Sequence, residues 1–144
     1  MPTHTWKLCC NGSIPEGAAV CGKDKDGSDI YVGRAFHEGD MLPAKIVPSK
    51  GGAFVCYAGT EHGKTEYEAL CDGTLTWQNT TGWNIPPDAL AAGQTSDGET
   101  LYVGRVLHDG TLQLGKVHPS HGVCYIPYDG KELTFPSYDI LVSK

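Results

Sequence analysis

The chain has 144 residues and a net charge of -6, with an isoelectric point near 5.4. That balance argues against a nucleic-acid partner, which needs a concentrated basic face. No apolar run is long enough for a membrane span, and the start Met-Pro-Thr-His-Thr-Trp-Lys lacks the apolar core of a secretory signal. The expected location is therefore cytoplasmic, or outside the cell by a route that uses no signal peptide.

Glycine (19) and proline (9) are frequent and long helical periodicity is absent. Short apolar runs between turn signals predict an all-β fold of short antiparallel strands. Trp6-Lys7-Leu8 opens a strand that Ile14-Pro15-Glu16-Gly17 breaks, and Ala18 to Gly22 is a second strand. Asp26-Gly27 is a hairpin signal, because both residues tolerate positive φ. Ile30 to Phe36 follows as a strand, ended by His37-Glu38-Gly39-Asp40. Met41 to Val47 is another; its Pro43 predicts an edge or a bulge. Phe54 to Tyr57 and Tyr67 to Leu70 complete the series.

The series then recurs. Asp26 to Lys45 returns as Asp97 to Lys116, 71 positions on, and the same offset carries Trp6 to Trp77, Pro48-Ser49 to Pro119-Ser120, Glu61 to Glu132 and Leu70 to Leu141. The expected organisation is two repeats, 1–72 and 73–144, packed as one compact body with pseudo-two-fold symmetry. A unit of half this length would be marginal alone. The two units account for this whole sequence, so no separate catalytic or membrane-piercing domain is expected.

None of the six cysteines is duplicated at this offset. A disulfide framework needed by each unit would appear in both copies, so free thiols in a reducing compartment are expected. Adjacent Cys9-Cys10 lacks zinc-ligand spacing. A calcium loop over Lys23 to Asp29 fails on register: with Asp24 and Asp26 as first and third ligands, Asp29 falls where glycine is required and Ala35 where glutamate is. No metal and no cofactor are expected.

Shared positions read first as structure. Tyr31/Tyr102, Val32/Val103, Trp6/Trp77 and Tyr57/Tyr128 suit a core, and Arg34/Arg105 with Glu61/Glu132 suggest a matched Arg–Glu pair. His37 and His108 sit in polar turns with no nucleophile sharing their pattern. The remaining polar residues around the hairpin allow a polyol site. A carboxylate offers only acceptors and an ammonium only donors, so one of each serves both halves of a sugar diol. Asp24 and Lys45 suit those roles at opposite ends of the motif. Composition alone favours a solvated charged rim.

The run G-K-D-K-D-G-S-D-I-Y-V-G-R-A-F-H-E-G-D-M-L-P-A-K-I-V-P, with the later G-T-E and Y-E-A-L, resembles the DM-nine repeat family over essentially all of both units. It is similar to the tandem mannose-binding lectins of that family from marine invertebrates, of the oyster type. The resemblance implies a metal-independent, non-enzymatic lectin selective for mannose, an innate-immune receptor for mannose-rich glycans on microbial surfaces. It implies ligand contacts from the acid before the D-G turn and the lysine after L-P-x, which are Asp24 and Lys45 here. Glu38 and Asp40 are further candidates in the first unit. The second unit keeps Lys116 but has Thr95 for Asp24 and Leu114-Gly115 for Pro43-Ala44, so it is expected to bind less well or to lean on Asp97 or Asp109. Some members carry the module beside a pore-forming partner, which is not expected here. An exposed edge strand would allow a homodimer, and Trp83, Phe36 and Tyr125 are candidates for an aromatic wall. The competing readings are a protein-interaction scaffold and a small hydrolase using His37 or Cys21.

Overall fold

Alternation of buried and exposed residues at period two sets the strands, and turn residues separate them. A computed structural model describes residues 4–143. Met1 to Thr3, part of the segment read for a signal, and Lys144 lie outside the described residues. The first unit contributes β1 (His4–Cys10), β2 (Val20–Lys23), β3 (Asp29–His37), β4 (Asp40–Val47), β5 (Gly52–Tyr57), β6 (Thr60–Lys64) and β7 (Glu66–Asp72). The second contributes β8 (Leu75–Thr81), β9 (Ala91–Gln94), β10 (Thr100–His108), β11 (Thr111–His118), β12 (Val123–Tyr128), β13 (Lys131–Phe135) and β14 (Ser137–Ser143). The protein is all-β; among the described residues each unit has one 3₁₀ turn, at Pro48–Lys50 and Pro119–His121.

The strands form one sheet in the order β1-β7-β3-β4-β5-β6-β13-β12-β11-β10-β14-β8, which reads the same from either end once seven is subtracted from the second half. Along this path the halves meet at β6–β13, Lys131 opposite Thr60. β2 and β9 lie off this path; β9 pairs with its own β10 and also with β4 of the other unit.

What joins the units is burial. One core cluster draws Ile30, Val32, Val47 and Leu70 from the first unit and Leu90, Val103, Leu114 and Leu141 from the second. A full apolar side chain buried this way contributes about 1.5–3 kcal/mol. Two further clusters are drawn one mostly from the first unit and one from the second. Gly22 shows how near the units come: a Cβ there would stand 2.6 Å from the Leu112 Cβ across the interface.

Several expectations change. β4 is an interior strand, between β3 and β5, and Pro43 is buried within it. Pro43 escapes the ladder penalty because β9 touches β4 only at Met41 and β5 joins it only from Lys45 onward. β6, a polar run with no alternating apolar face, was not expected as a strand; it bridges the units. The second strand starts at Val20, with Ala18 only an isolated bridge to Cys71. The Arg–Glu pairing is also different. Arg34 bonds Glu68 at 2.6 Å and Arg105 bonds Asp139 at 3.1 Å, because β3–β7 and β10–β14 registers set these residues opposite each other. Each guanidinium also donates across the interface, Arg34 to the Ala92 carbonyl at 3.2 Å and Arg105 to the Cys21 carbonyl at 3.1 Å. Each stacks on its own unit's Trp6 or Trp77, which are only partly buried.

Candidate functional site

Asp24 stands where β2 ends. Its N–H donates to the Ser28 carbonyl at 2.9 Å and its own carbonyl accepts from Gly27 at 3.0 Å, closing a turn in which Gly27 holds φ +84°. Lys45 comes from the middle of β4, opposite Val32 on one side and Phe54 on the other. The 3₁₀ turn after β4 delivers Lys50. These residues line a cavity of about 440 Å³ together with Lys25, Asp26 and Glu61, and Tyr128, Asp129 and Gly130 of the second unit close it. Small-molecule sites span roughly 300–1,000 Å³.

Asp24 and Lys45 are brought together by Gln113, on β11 of the other unit. The Lys45 ammonium donates to Gln113 Oε1 at 2.9 Å, and Gln113 Nε2 donates to Asp24 Oδ1 at 3.1 Å and to Thr111 Oγ1 at 2.9 Å. Asp24 Oδ1 also accepts from the Lys25 N–H at 2.9 Å. Asp24 Oδ2 is different: it is buried and accepts no aligned hydrogen bond, although Lys50 Nζ stands 3.1 Å away. That short distance is an ion pair, so this oxygen's partner is a half-exposed lysine that a ligand could displace. Lys45 faces Glu61 Oε2 at 3.6 Å and the ring of Tyr128 at 5.6 Å.

The charges follow from these contacts. Burial pushes the Asp24 carboxyl up, but the Lys25 N–H, Lys50 and Gln113 outweigh it and hold it below the ordinary carboxylate value. Burial lowers Lys45 from the usual lysine value, with Glu61 and Asp24 opposing. An acceptor-only and a donor-only group thus line one cavity, linked through the Gln113 amide.

The other candidates are placed differently. Asp109 does not line this cavity but stands behind its wall: it pairs with Lys25 at 2.6 Å and accepts from the Tyr128 hydroxyl at 3.0 Å. It was expected to serve the second unit, but Lys25 belongs to the first. Glu38 sits in an exposed turn with φ +51°, and Asp40 accepts from the Ser96 N–H at 2.8 Å. Neither lines the cavity, nor do Asp97 and Lys116. Lys116 has its own surroundings: Glu132 at 3.2 Å and the rings of Tyr57 and Tyr125 at 5.8 and 5.3 Å. The aromatic beside Lys45 is Tyr128, which is a core residue as expected and also borders the cavity; Trp83 and Phe36 are exposed and absent from it. Gln113 was missed altogether. Its signal was present in the repeat, a glutamine where the first unit has Leu42.

Other chemistry is less well supported. A cavity of about 520 Å³ surrounds Leu8, Phe36, Met41 and Arg34, but Arg34 is already bonded to Glu68 and Ala92, and the other charged groups on its lining, Lys64 and Glu66, lie where β6 ends and β7 begins rather than in the core. Burial raises the Cys21 thiol to about 12, which removes the thiolate. Ser120 Oγ, 2.8 Å from Glu99 and 3.3 Å from His118 Nδ1, suggests a nucleophile, yet Glu99 meets that same ring nitrogen at 3.4 Å. A triad needs base and orienter on opposite nitrogens. Among the described residues no group of three or more His, Cys, Asp or Glu is arranged to hold a metal ion, and no helix is long and apolar enough to cross a membrane.

Comparison with known proteins supports the fold and the repeat. The crystal structure of the nematode sperm cell motility protein MFP2B superposes over 100% of this chain and 48% of its own, with a TM-score of 0.71 and 14% identity, a likeness of fold alone. Natterin-4 of Thalassophryne nattereri is 30% identical over 135 residues, covering 91% of this chain. The chain spans only 32% of that relative's length. The profile of the DM9 repeat matches residues 24–135, a span that runs from the site's carboxylate through both Y-V-G-R strands to β13. With that match over most of a sequence whose two halves fold alike, the chain belongs to the DM9 repeat family.

Proposed function

We propose that this protein is a carbohydrate-binding lectin, selective for mannose and independent of metal, that binds its ligand at the Asp24–Lys45 cavity and does not turn it over. The observation that carries this reading is the buried Asp24 carboxylate, whose Oδ2 meets only the half-exposed Lys50, tied through the Gln113 amide to the Lys45 ammonium that lines the same cavity. A hydroxyl that displaces the half-exposed Lys50 and donates to Asp24, with a neighbouring oxygen that accepts from Lys45, would use both through charge-assisted bonds. The ring of Tyr128 borders the cavity and faces the ammonium groups of Lys25 and Lys45, which it holds in place for the ligand. Membership of the DM9 repeat family fits a lectin-like or interaction role.

On this reading the biological ligands are mannose-rich glycans of microbial surfaces, and the protein acts as a pattern-recognition receptor of innate immunity. One monosaccharide site binds weakly, about 4 kcal/mol at a millimolar constant. Clustered glycans, or pairing of two chains, would raise avidity without new contacts.

Calorimetric titration with mannose, glucose and galactose, with and without a chelator, tests the proposal. Saturable heat with mannose that survives the chelator is expected. No heat, or heat abolished by chelation, overturns it. The scaffold reading has one observation in its favour, the exposed Leu8, Phe36 and Leu107. It would gain if the protein bound no glycan on an array.

A further inference from the structure

The two units share lysine and glutamate at corresponding places, yet the two lysines are held differently. Lys116 lies 3.2 Å from Glu132, whereas Lys45 lies 3.6 Å from Glu61 and takes a closer partner, Gln113. Gln113 is wholly buried and every polar group of its amide is engaged. The neighbours dictate its orientation: the ammonium has only donors, so Oε1 faces it, and the carboxylate has only acceptors, so Nε2 faces that. The side chain does not line the cavity. It stands behind both ligand-facing groups and locks the separation between them.

The corresponding position in the first unit is Leu42, also wholly buried, and the position corresponding to Asp24 is Thr95. Leucine offers an ammonium nothing to bond, and threonine brings no charge.

We infer that Gln113, supplied by the second unit, is the positioning residue that makes the Asp24–Lys45 cavity a binding site, and that Lys116 is silent because Leu42 and Thr95 stand where its bridge and its carboxylate would be. The inference rests on the carbohydrate reading above and adds to it a stoichiometry of one ligand per chain. A bridge that touches no ligand acts by preorganisation: it removes the cost of ordering two flexible or charged groups at the moment of binding. Asp40 stands two residues before Leu42, as Thr111 does before Gln113, so a glutamine at 42 would find an acceptor in the same place.

The test is titration with mannose of the native chain, of Gln113→Leu, and of Leu42→Gln combined with Thr95→Asp, with a thermal melt to confirm that each is folded. The native chain is expected to bind one equivalent. Gln113→Leu, which places in the second unit the residue the first already tolerates, is expected to bind at least about tenfold more weakly, the loss of one hydrogen bond to a charged group. The double substitution is expected to bind two equivalents, a gain that a merely structural glutamine would not predict. If Gln113→Leu is folded and binds as the native chain does, or if the native chain already binds two equivalents, the inference is overturned and the lectin reading stands. If the native chain binds no mannose, the lectin reading fails and takes the inference with it.

Discussion

Asp24→Asn separates charge from shape at the site. The amide is isosteric, and its oxygen can keep the acceptor position that serves the Lys25 N–H and Gln113 Nε2, at 2.9 and 3.1 Å. What is lost is the negative charge beside Lys45 and Lys50, and one of the two acceptor oxygens. Lys50 is half exposed and swings into solvent at little cost. A hydrogen bond to a charged group is worth about 1.5–3 kcal/mol and a neutral one about 0.5–1.5, so each ligand bond weakens by about 1–1.5 kcal/mol. That is about tenfold in affinity for one bond and about a hundredfold for two. The fold keeps its Oδ1 bonds, so stability should change by less than about 1.5 kcal/mol. Titration with mannose alongside urea unfolding reads both quantities. Native affinity in a folded Asp24→Asn would refute the assignment of this carboxylate to the ligand. So would a loss of binding that merely tracks unfolding.

Other outcomes follow from the same contacts. Arg34→Ala removes the bond to Glu68, the bond to the Ala92 carbonyl and the stack on Trp6. With the part-exposed ion pair discounted, it should cost about 2–3 kcal/mol by chemical denaturation; Arg34→Lys should recover only part of this, and full recovery would mean charge alone matters. His118 is held below its usual 6.5 by burial and then by His121, with Lys116 adding and Glu99 and Asp40 opposing. The unfolded chain therefore takes the proton first, so melting temperature should fall as pH drops below about 6.5, and His118→Gln should flatten that slope. Asp24 works on a lower window: its contribution is present above 3.8 and is lost only as pH falls through its depressed folded value, so mannose binding should persist to pH 4. A thiol reagent should modify Cys10 and more slowly Cys9 in the native protein, and Cys21, Cys56, Cys71 and Cys124 only after unfolding. Rapid labelling of all six by mass spectrometry would contradict the burial of the core.

The fold was legible wherever two copies of one pattern could be laid side by side. The offset between Tyr31 and Tyr102 fixed equivalent strands, and short alternating runs fixed their class. The site was legible only in part, because it is built across the units. Asp24 and Lys45 lie in one repeat and could be picked by chemistry, but Gln113 and Tyr128 reach them from the other, through a pairing that no local spacing encodes. Charge matching failed for Arg34 because partners in a sheet are chosen by register. Glu68 stands opposite it on β7, while Glu61 is carried away to meet Gly130 of the other unit at 2.9 Å. Pro43 misled for a related reason: proline forbids a ladder bond, and an interior strand can leave a gap in its ladder.

That crossing of the glutamates has a genetic consequence. Glu61 Oε1 accepts from Gly130, and Glu132 Oε1 accepts from Gly59 at 2.8 Å, so each lysine is braced by an acid that also grips the opposite turn. Two separate half-chains could form these same braces, but every half-chain would then carry an identical side chain at the position now split between Leu42 and Gln113. Covalent fusion lifts that restriction. Once one gene encodes both halves, a polar bridge can arise in one and an apolar plug in the other, and a symmetric scaffold becomes free to specialise.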